Sequence, residues 1–499
     1  MLSISTLDIC LAGAGLYLVQ RFLAKSSAPV PPGPSGWPII GNLLDMPTED
    51  PWLSYSKWAK QHGDITSVEL FGRRFIFLNS PKAATDLFDK KGAMYADRPH
   101  LTMACDLSGW ADGLIFLSSG DKFRRYRKNI SRMIGKGPLR AFHSAEEIET
   151  CRFLLAVLKS PNDLMAHVRR TAGAVIFRIS HGYEVEDDND PFVTRAEKGM
   201  NILGQLIRPG TFLVDIIPAL KYVPDWFPGA SFKQFAKASE KLVTELVEIP
   251  HEFVKEQMAA GIAPNSLTSH LLSDDDLDSE QEHSIKWSAF SMYAGGSDTT
   301  VSSVYGFFLA MTLYPEVQAK AQAELDSVVG TDRLPTLEDL PALPYTAALC
   351  KEVLRWNVVT PLTSYHVATQ DDMYEGYLIP KGSYIFANIW HLLNDEHKYP
   401  NPEEFNPERF LGPNPQADPR DFCFGFGRRI CPGLHLAEAS VFISCAMSLA
   451  VFDIRKAVEN GVAITPEVKF TDGAICHPRP FKCSITPRSA KAEGLIIAS

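Results

Sequence analysis

Cys431 lies in the stretch of the chain whose residue types are best suited to chemistry, FCFGFGRRICPGLHLAEA. Two glycines precede it and cannot build a strong regular element, and Pro432 follows, where the first turn of a helix tolerates proline. A helical pattern begins at Leu434, which predicts that the thiol lies at a helix N-terminus. Free N–H groups and the helix dipole favour a thiolate there, and Arg429 would hold an anionic group nearby.

A cysteine in such a loop has several roles open to it. As a ligand of haem iron, its thiolate would donate electron density that favours O–O cleavage, and the glycines would let a flat cofactor approach closely. A buried free cysteine is the ordinary alternative. A zinc site built from Cys423, Cys431 and His435 is another, but it lacks close ligand spacing and an obvious fourth ligand.

A second stretch, FSMYAGGSDTTVSS, lies within a helical pattern that runs from about residue 285 to 313. Gly295 and Gly296 should each cost up to about 1 kcal/mol relative to alanine in a helix interior. Small residues would let a flat ring and O2 come close, and Asp298 and Thr299 would supply an acid and a hydroxyl for a proton relay. The alternative is a packed helix whose threonine bonds back to a carbonyl.

The cysteine stretch resembles the signature Phe-x-x-Gly-x-Arg-x-Cys-x-Gly of the cytochrome P450 superfamily. The matching positions are Phe424, Gly427, Arg429, Cys431 and Gly433. The resemblance extends from a proline-rich hinge to the C-terminus, and it implies haem b with Cys431 as the axial ligand of the iron. It also implies that Asp298 and Thr299 activate O2. Retention of Thr299 argues against the family's isomerases and dehydratases, which often lack it.

Further residues fit the same resemblance. The family has a structural network behind the haem, here assigned to Glu352 and Arg355 of KEVLRW and to Arg409 of FNPERF. Glu352 and Arg355 are three residues apart and can pair on one helix face. We expect the haem to be held by residues that include the propionate partners and two positions of the signature: Arg127, His366, Phe424, Arg429 and Gly433.

One position departs from the family pattern. The segment GDKFRRYRKN resembles the helix that usually carries Trp-x-x-x-Arg, and here Phe123 stands at the tryptophan position while Arg127 keeps the arginine. A phenylalanine can pack against a ring but cannot donate a hydrogen bond. One propionate contact is therefore in doubt, and for His366 a satisfied core histidine is the alternative.

By position in the family, several segments should line a substrate pocket: 100–116, 203–212, 290–294, 358–363 and 473–476. Most of the side chains that we expect in its wall are apolar: Leu101, Met103, Leu107, Trp110, Phe116, Phe290, Val359 and Ile475. His100, Asp106 and Asp112 could orient a polar or amine-bearing substrate, and exposed loop positions are the alternative for them. We therefore expect a small apolar substrate.

The balance of charge suggests which partners the chain has. A formal net charge of −10 argues against nucleic acid. One segment reverses the sign, with Lys122, Arg124, Arg125, Arg127, Lys128, Arg132 and Lys136. It is either a solvated helix face or a docking patch for an acidic electron donor. No flavin or dinucleotide motif is present, so a separate NADPH-cytochrome P450 reductase is implied, with cytochrome b5 as a second candidate donor.

The elements around these residues predict a mainly α fold with small β-sheets, the triangular helical body of the cytochrome P450 fold. Helical periodicity dominates from about 121 to 450, and strands are expected near Gly72, from 374 to 388 and from 462 to 487. Nine irregularly spaced cysteines argue against a disulfide framework and favour a reducing compartment.

The N-terminal segment differs in kind from the rest. Residues 1–24 are mainly apolar and are followed by basic residues, which predicts a single-pass anchor in the endoplasmic reticulum membrane with the rest of the chain in the cytosol. Asp8 weakens this interpretation, and a buried or interfacial helix is the alternative. The proline-rich residues 25–38 predict a stiff extended linker, and residues 39–499 form the catalytic domain.

The sequence thus predicts a haem-thiolate monooxygenase that uses O2 and NADPH-derived electrons. The stretches PPGPSGWPIIGNLLDMP, YVPDWFPGASFK and HPRPFKCSITPRS resemble a fungal secondary-metabolism branch. That branch includes O-methylsterigmatocystin oxidoreductase-like and tryptamine 4-hydroxylase-like enzymes, which act on terpenoids, polyketides and indoles. The alternatives are a haem-thiolate isomerase or peroxidase that needs no reductase, and a non-enzymatic haem sensor.

Overall fold

The computed structural model describes Gly15 and residues 28–186, 190–274 and 276–498. Apart from Gly15, the predicted membrane anchor at residues 1–24 lies outside these described residues. Within them, one helix, Leu434–Val451, is long and apolar enough to cross a membrane, and 72% of it is buried inside the protein. Burial of this kind is typical of a core helix.

Helices make up most of the described chain. They are α1 Pro51–His62, α2 Pro81–Ala84, α3 Gly92–Tyr95, α4 Asp121–Ile134, α5 His143–Lys159, α6 Leu164–His181, α7 Pro191–Ile207, α8 Ser231–Ala259, α9 Leu267–Leu272, α10 Ser279–Gly296, α11 Thr299–Leu313, α12 Pro315–Val328, α13 Pro344–Trp356, α14 Ile389–Leu393, α15 Arg420–Cys423, α16 Leu434–Val451 and α17 Ala490–Ala498.

The strands are short and form small sheets. They are β1 Ile65–Leu70, β2 Arg73–Leu78, β3 His366–Val367, β4 Asp372–Tyr374, β5 Tyr377–Ile379, β6 Tyr384–Ala387, β7 Phe452–Lys456, β8 Val458–Glu459, β9 Val462–Ala463 and β10 Cys483–Pro487. The largest described sheet has the order β1-β2-β6-β3, and the pairs β4–β5, β7–β10 and β8–β9 stand apart from it. The prediction of a mainly helical fold with small sheets is confirmed.

The predicted hairpin around Gly72 is present, with β1 and β2 antiparallel. Phe71 and Gly72 have φ angles of 48° and 82°, as a tight two-residue hairpin turn requires. The described part of the proline-rich segment packs on this hairpin. The Ser67 N–H donates to the Pro32 carbonyl at 2.8 Å, and the Ser67 hydroxyl donates to the Pro31 carbonyl at 2.6 Å. From Pro31 onward, the segment is therefore part of the folded body of the protein.

Two central helical elements bring the residues of interest together. Helix α16 is mainly apolar and largely buried, and it packs on α5, α11, α12 and α13, so the loop before it is held inside the helical body. Helix α10 packs on α4 and α6. The single helix expected from 285 to 313 is instead divided between α10 and α11, with the break at Ser297 and Asp298.

Candidate active site

Cys431 and Thr299 line the same cavity, which has a volume of about 420 Å³. The loop before α16 contributes one part of the wall, and the broken helix pair α10–α11 contributes another. Phe424 and Gly433 of the signature line it as well. The two chemical centres that the sequence predicts are therefore brought together in one internal space.

The loop that carries Cys431 is shaped by close backbone contacts. The Cys431 N–H donates to the Phe424 carbonyl at 2.8 Å, which closes the loop before the helix. Gly427 has a φ of 51°, and a Cβ at this position would lie 2.2 Å from the carbonyl oxygen of Phe88. A Cβ on Gly433 would lie 3.8 Å from the Cys431 Sγ. Glycine at 427 is thus required by the fold.

The electrostatics of Cys431 differ from the simple expectation. Burial raises the pKa of the Cys431 thiol, while the backbone N–H of Gly433 and the charge of Arg127 act in the opposite direction. The predicted stabilisation at the helix end is therefore present but is outweighed by desolvation. A metal cation bound to the sulfur would supply the positive charge that a thiolate needs here.

Thr299 begins α11 beside an open stretch of helix. Its hydroxyl donates to the Gly295 carbonyl at 2.8 Å, as expected for a threonine bonded back by one turn. A Cβ on Gly295 would meet nothing within 4 Å, because this face borders the cavity, whereas a Cβ on Gly296 would lie 2.9 Å from Ile176 Cδ1. The two glycines therefore serve different purposes, one open space and one helix packing.

Asp298 is placed differently from Thr299. It is absent from the wall of the cavity that contains Cys431, and it lines a second cavity instead. Its Oδ2 lies 3.1 Å from His477 Nε2. Asp298 and Thr299 are neighbours at the break between the helices, but they face different cavities. The structure therefore separates the predicted acid from the predicted hydroxyl.

The predicted propionate partners gather at the Cys431 cavity, joined by a residue that the sequence analysis missed. Arg127, His366 and Arg429 all line this cavity, and so does Arg98. Arg127 Nη1 donates to the Ile430 carbonyl at 2.6 Å, and His366 Nδ1 donates to the Tyr95 carbonyl at 2.7 Å.

Arg429 lies over the ring of Phe123, with its Cζ 3.8 Å from the ring centroid. It also donates to the Leu117 carbonyl at 2.7 Å. Phe123, which replaces the family's tryptophan, thus supports this guanidinium by a cation–π contact.

These basic groups are close enough to repel one another. Burial and then the charge of Arg429 hold the pKa of Arg98 well below its usual range. Burial and then Arg98 do the same to the pKa of His366, and burial lowers that of Arg429 to about 10. The Nε of Arg98 is buried and has no hydrogen-bond partner in the described chain. Such a cluster fits an anionic ligand, and the two carboxylates of haem b match it.

The predicted structural network is present outside the cavity. Arg355 donates to Glu352 through Nε and Nη2, both at 2.8 Å, and Arg409 Nε lies 3.3 Å from Glu352 Oε1. All three residues are buried, and the remaining guanidinium N–H groups reach backbone carbonyls, including that of Leu393. The hydrogen bonds that satisfy these buried charges also connect helix α13 to the loops that follow it.

The predicted pocket wall is correct in part. Trp110, Phe290, Val359 and Ile475 line the cavity. The other four apolar candidates lie in or against the hydrophobic core outside the wall: Leu101, Met103, Leu107 and Phe116.

The polar candidates near the pocket form ion pairs outside the cavity wall. His100 pairs with Asp106, and Asp112 contacts Lys122 and His283. They therefore do not reach a substrate in this cavity.

Among the described residues, no group of three or more His, Cys, Asp or Glu side chains is arranged to hold a metal ion, which leaves the zinc alternative without a ligand set.

The cations of the basic segment on α4 fall into two groups. Lys122, Arg124 and Arg125 form ion pairs with acidic residues. Lys128 and Arg132 remain exposed on its outer face.

Comparison with known proteins agrees with this geometry. A cytochrome P450 family model matches residues 31–485. The chain is 49% identical to cytochrome P450 monooxygenase 208 of Postia placenta, in an alignment that covers 97% of this chain and 95% of the relative. It is 46% identical to cytochrome P450 monooxygenase claR of Ampulloclitocybe clavipes, covering 98% and 92%.

A further relative, the tryptamine 4-monooxygenase of Psilocybe cyanescens, is 40% identical, with 97% of each chain covered. The family match spans the cavity, the cysteine loop and the buried Glu–Arg–Arg network alike. The chain therefore belongs to the cytochrome P450 family, and it is a haem-dependent monooxygenase.

Proposed function

We propose that this enzyme inserts one oxygen atom from O2 into an apolar small-molecule intermediate of fungal secondary metabolism, a terpenoid, polyketide or indole. The observation that carries the proposal is that Cys431 and Thr299 line one cavity whose other walls include Trp110, Phe290 and Val359. Apolar walls select an apolar substrate and exclude water. The name of the Psilocybe cyanescens relative supports an indole as one candidate.

Different residues of the cavity would bind the haem, position the substrate and deliver protons. Haem b, when bound, supplies the O2-activating chemistry, with Cys431 as the ligand of its iron. Arg98, Arg127 and Arg429 would hold its carboxylates by charge-assisted hydrogen bonds, with His366 beside them. The remaining side chains of the site position the substrate and control the delivery of protons.

Thr299 is the residue proposed to orient proton donors on the cavity side. Its hydroxyl donates to the Gly295 carbonyl, so its oxygen lone pairs are free to accept a hydrogen bond from a proton donor inside the cavity. Asp298 precedes it and would pass protons towards it from the second cavity. Small residues at this point of the helix leave space beside the hydroxyl.

We further propose that electrons come from NADPH through a separate reductase, with cytochrome b5 as a second donor. The chain would be anchored in the endoplasmic reticulum membrane by residues 1–24, with its catalytic domain in the cytosol. The exposed cations of α4 support the first part, since acidic electron donors dock on positive surfaces.

The reduced carbon monoxide difference spectrum tests the ligand. The intact protein should show the Soret shift of a thiolate-bound haem, and Cys431→Ala should abolish it. Cys423→Ala is the matched control, because Cys423 lines the same cavity and should be dispensable for the shift. A thiolate spectrum retained in Cys431→Ala, or absent from the intact protein, would overturn the assignment.

Thr299→Ala separates the monooxygenase from the two alternatives. With haem retained, we expect a larger share of consumed NADPH to appear as H2O2, because proton delivery to the oxygen site is impaired. The measurement compares NADPH oxidation with H2O2 release in the presence of purified reductase. An isomerase, peroxidase or sensor would show no dependence of turnover on NADPH and reductase.

A further inference from the structure

The second cavity meets the first at a shared wall. Six residues line both spaces: Arg208, Pro209, Asp472, Gly473, Ala474 and Ile475. Asp298 and His477 line only the second cavity, whereas Thr299 lines only the first. The break between α10 and α11 lies between the two cavities as well, because Asp298 faces the second cavity and Thr299 faces the first.

His477 is held firmly against this break. Its Nε2 lies 3.1 Å from Asp298 Oδ2, and the two side chains are only 14% and 23% exposed. The His477 N–H donates to the Thr471 hydroxyl at 3.0 Å, and the Thr471 N–H donates to the His477 carbonyl at 2.8 Å. The loop that carries the imidazole is thus closed on itself. The ring Nδ1 is buried without a hydrogen-bond partner in the described chain.

The other charged groups of the second cavity are already paired. Arg169 on α6 contacts Glu197 on α7, and Arg208 contacts Asp472 at 3.0 Å. Tyr293 on α10 contributes a phenol whose pKa is raised by burial, so it stays neutral. Among the lining residues that the structure describes, the imidazole is the group that can accept a proton at one ring nitrogen and donate a proton from the other.

We propose that His477 is a positioning residue for the oxygen-activating relay, one that orients Asp298 and supplies it with protons from the second cavity. The proposal rests on the proposed relay through Thr299. A proton taken up at Nδ1 gives the imidazolium, and the Nε2 proton then passes to Oδ2 of Asp298. This leaves a neutral imidazole with its proton on Nδ1 and a neutral carboxyl on Asp298, so protons are conserved at each transfer.

The first experiment follows O2 reduction by the haem-loaded protein with NADPH and purified reductase, from pH 5 to 8. His477→Gln keeps an amide N–H for Asp298 but cannot titrate, so we expect NADPH oxidation to fall by about tenfold, with a flattened pH profile. His283→Gln is the control, because His283 lies 2.7 Å from the Asp112 carboxylate but lines neither cavity. It should behave as the parent protein.

The second experiment needs no turnover. Ring ¹⁵N–¹H correlation spectra of the full chain, with the His477 signal assigned by its loss in His477→Gln, should show Nε2 protonated and hydrogen-bonded. Asp298→Asn should change that signal. A His477 signal unaffected by Asp298→Asn, or a parental pH profile in His477→Gln, would overturn the proposal. If Thr299→Ala also left the share of H2O2 unchanged, the relay itself would be wrong rather than the role of His477 alone.

Discussion

At the scale of single residues, Glu146 on α5 is the least expected feature of the cavity. It is buried at the cavity wall, where Oε1 accepts a hydrogen bond from Ser440 at 2.7 Å. Its Oε2 is buried without a hydrogen-bond partner in the described chain. Desolvation raises the pKa of this carboxyl to about 8, so it is mainly neutral at pH 7. A neutral acid avoids the cost of an unpaired buried charge.

Glu146 should make the stability of the protein depend on pH. Its pKa is higher in the folded than in the unfolded chain, so its stabilising contribution is complete below about pH 4 and is lost as the pH rises to about 8. Glu146→Gln should therefore lose less stability between pH 5 and pH 9 than the parent. Thermal unfolding across this range checks the prediction. Identical pH slopes for the two proteins would show that the carboxyl is already ionised in the fold.

The residues of the site differ in how far sequence alone could identify them. Cys431, Arg127 and His366 are identified by their resemblance to cytochrome P450 motifs, and the structure brings all three to one cavity. Arg98 was missed because it is a lone arginine in an irregular stretch, and only the tertiary fold brings it to Arg429. His477 was missed for the same reason, since its partner lies on a helix far away in the sequence.

At the scale of elements, the two glycines of α10 should respond differently to the same substitution. Gly296→Ala places a methyl 2.9 Å from buried Ile176, and overpacking of this kind costs about 1–3 kcal/mol. Gly295→Ala meets no atom within 4 Å and gains helix propensity, so the protein should be as stable as the parent. Its methyl, however, enters the cavity and should slow the binding of carbon monoxide to the reduced haem.

Two measurements separate these outcomes. Thermal unfolding should report a loss only for Gly296→Ala, and flash photolysis of the carbon monoxide complex should report slower rebinding for Gly295→Ala. Equal stability of the two variants would mean that Ile176 can move aside. Equal rebinding would mean that the open face of Gly295 does not border the ligand's path.

The network around α13 supports a second prediction at this scale. Glu352→Ala leaves the buried guanidiniums of Arg355 and Arg409 without their carboxylate, which should destabilise the protein by about 3–5 kcal/mol. Urea denaturation measures this loss. Lys482→Ala, which breaks an exposed ion pair with Glu459, is the control and should have little effect. A small loss in Glu352→Ala would show that backbone carbonyls alone satisfy the arginines.

The elements also show where sequence patterns reach their limit. The hairpin at Gly72 could be predicted because alternation and turn residues are local signals. The break between α10 and α11 could not, because helical periodicity continues through Ser297 and Asp298. There the backbone conformation depends on the second cavity and on the contact with His477, and both are tertiary features.

At the scale of the whole molecule, the charge is distributed unevenly. The chain has a formal net charge of −10, yet Lys128 and Arg132 lie four residues apart on the exposed face of α4, and exposed Lys136 follows the helix. None of the three forms an ion pair within the part of the chain that the structure describes. Arg127 on the same helix points inward to the Cys431 loop, so this surface lies near the predicted haem ligand.

This surface is expected to dock the acidic electron donor, because its unpaired cations attract negative charge and its position beside the cysteine loop keeps the path for electrons short. Lys128→Glu with Arg132→Glu should therefore slow reduction by NADPH and reductase by about 10–100-fold at low salt, and less at high salt, where charges are screened. Stopped-flow formation of the carbon monoxide complex measures the rate. Dithionite reduction should not change, since it bypasses docking. Lys57→Glu with Lys60→Glu, on the exposed side of α1, carries the same change in net charge and should reduce normally. An equal slowing in this control would assign the effect to overall charge, and the docking surface would then have to lie elsewhere on the molecule.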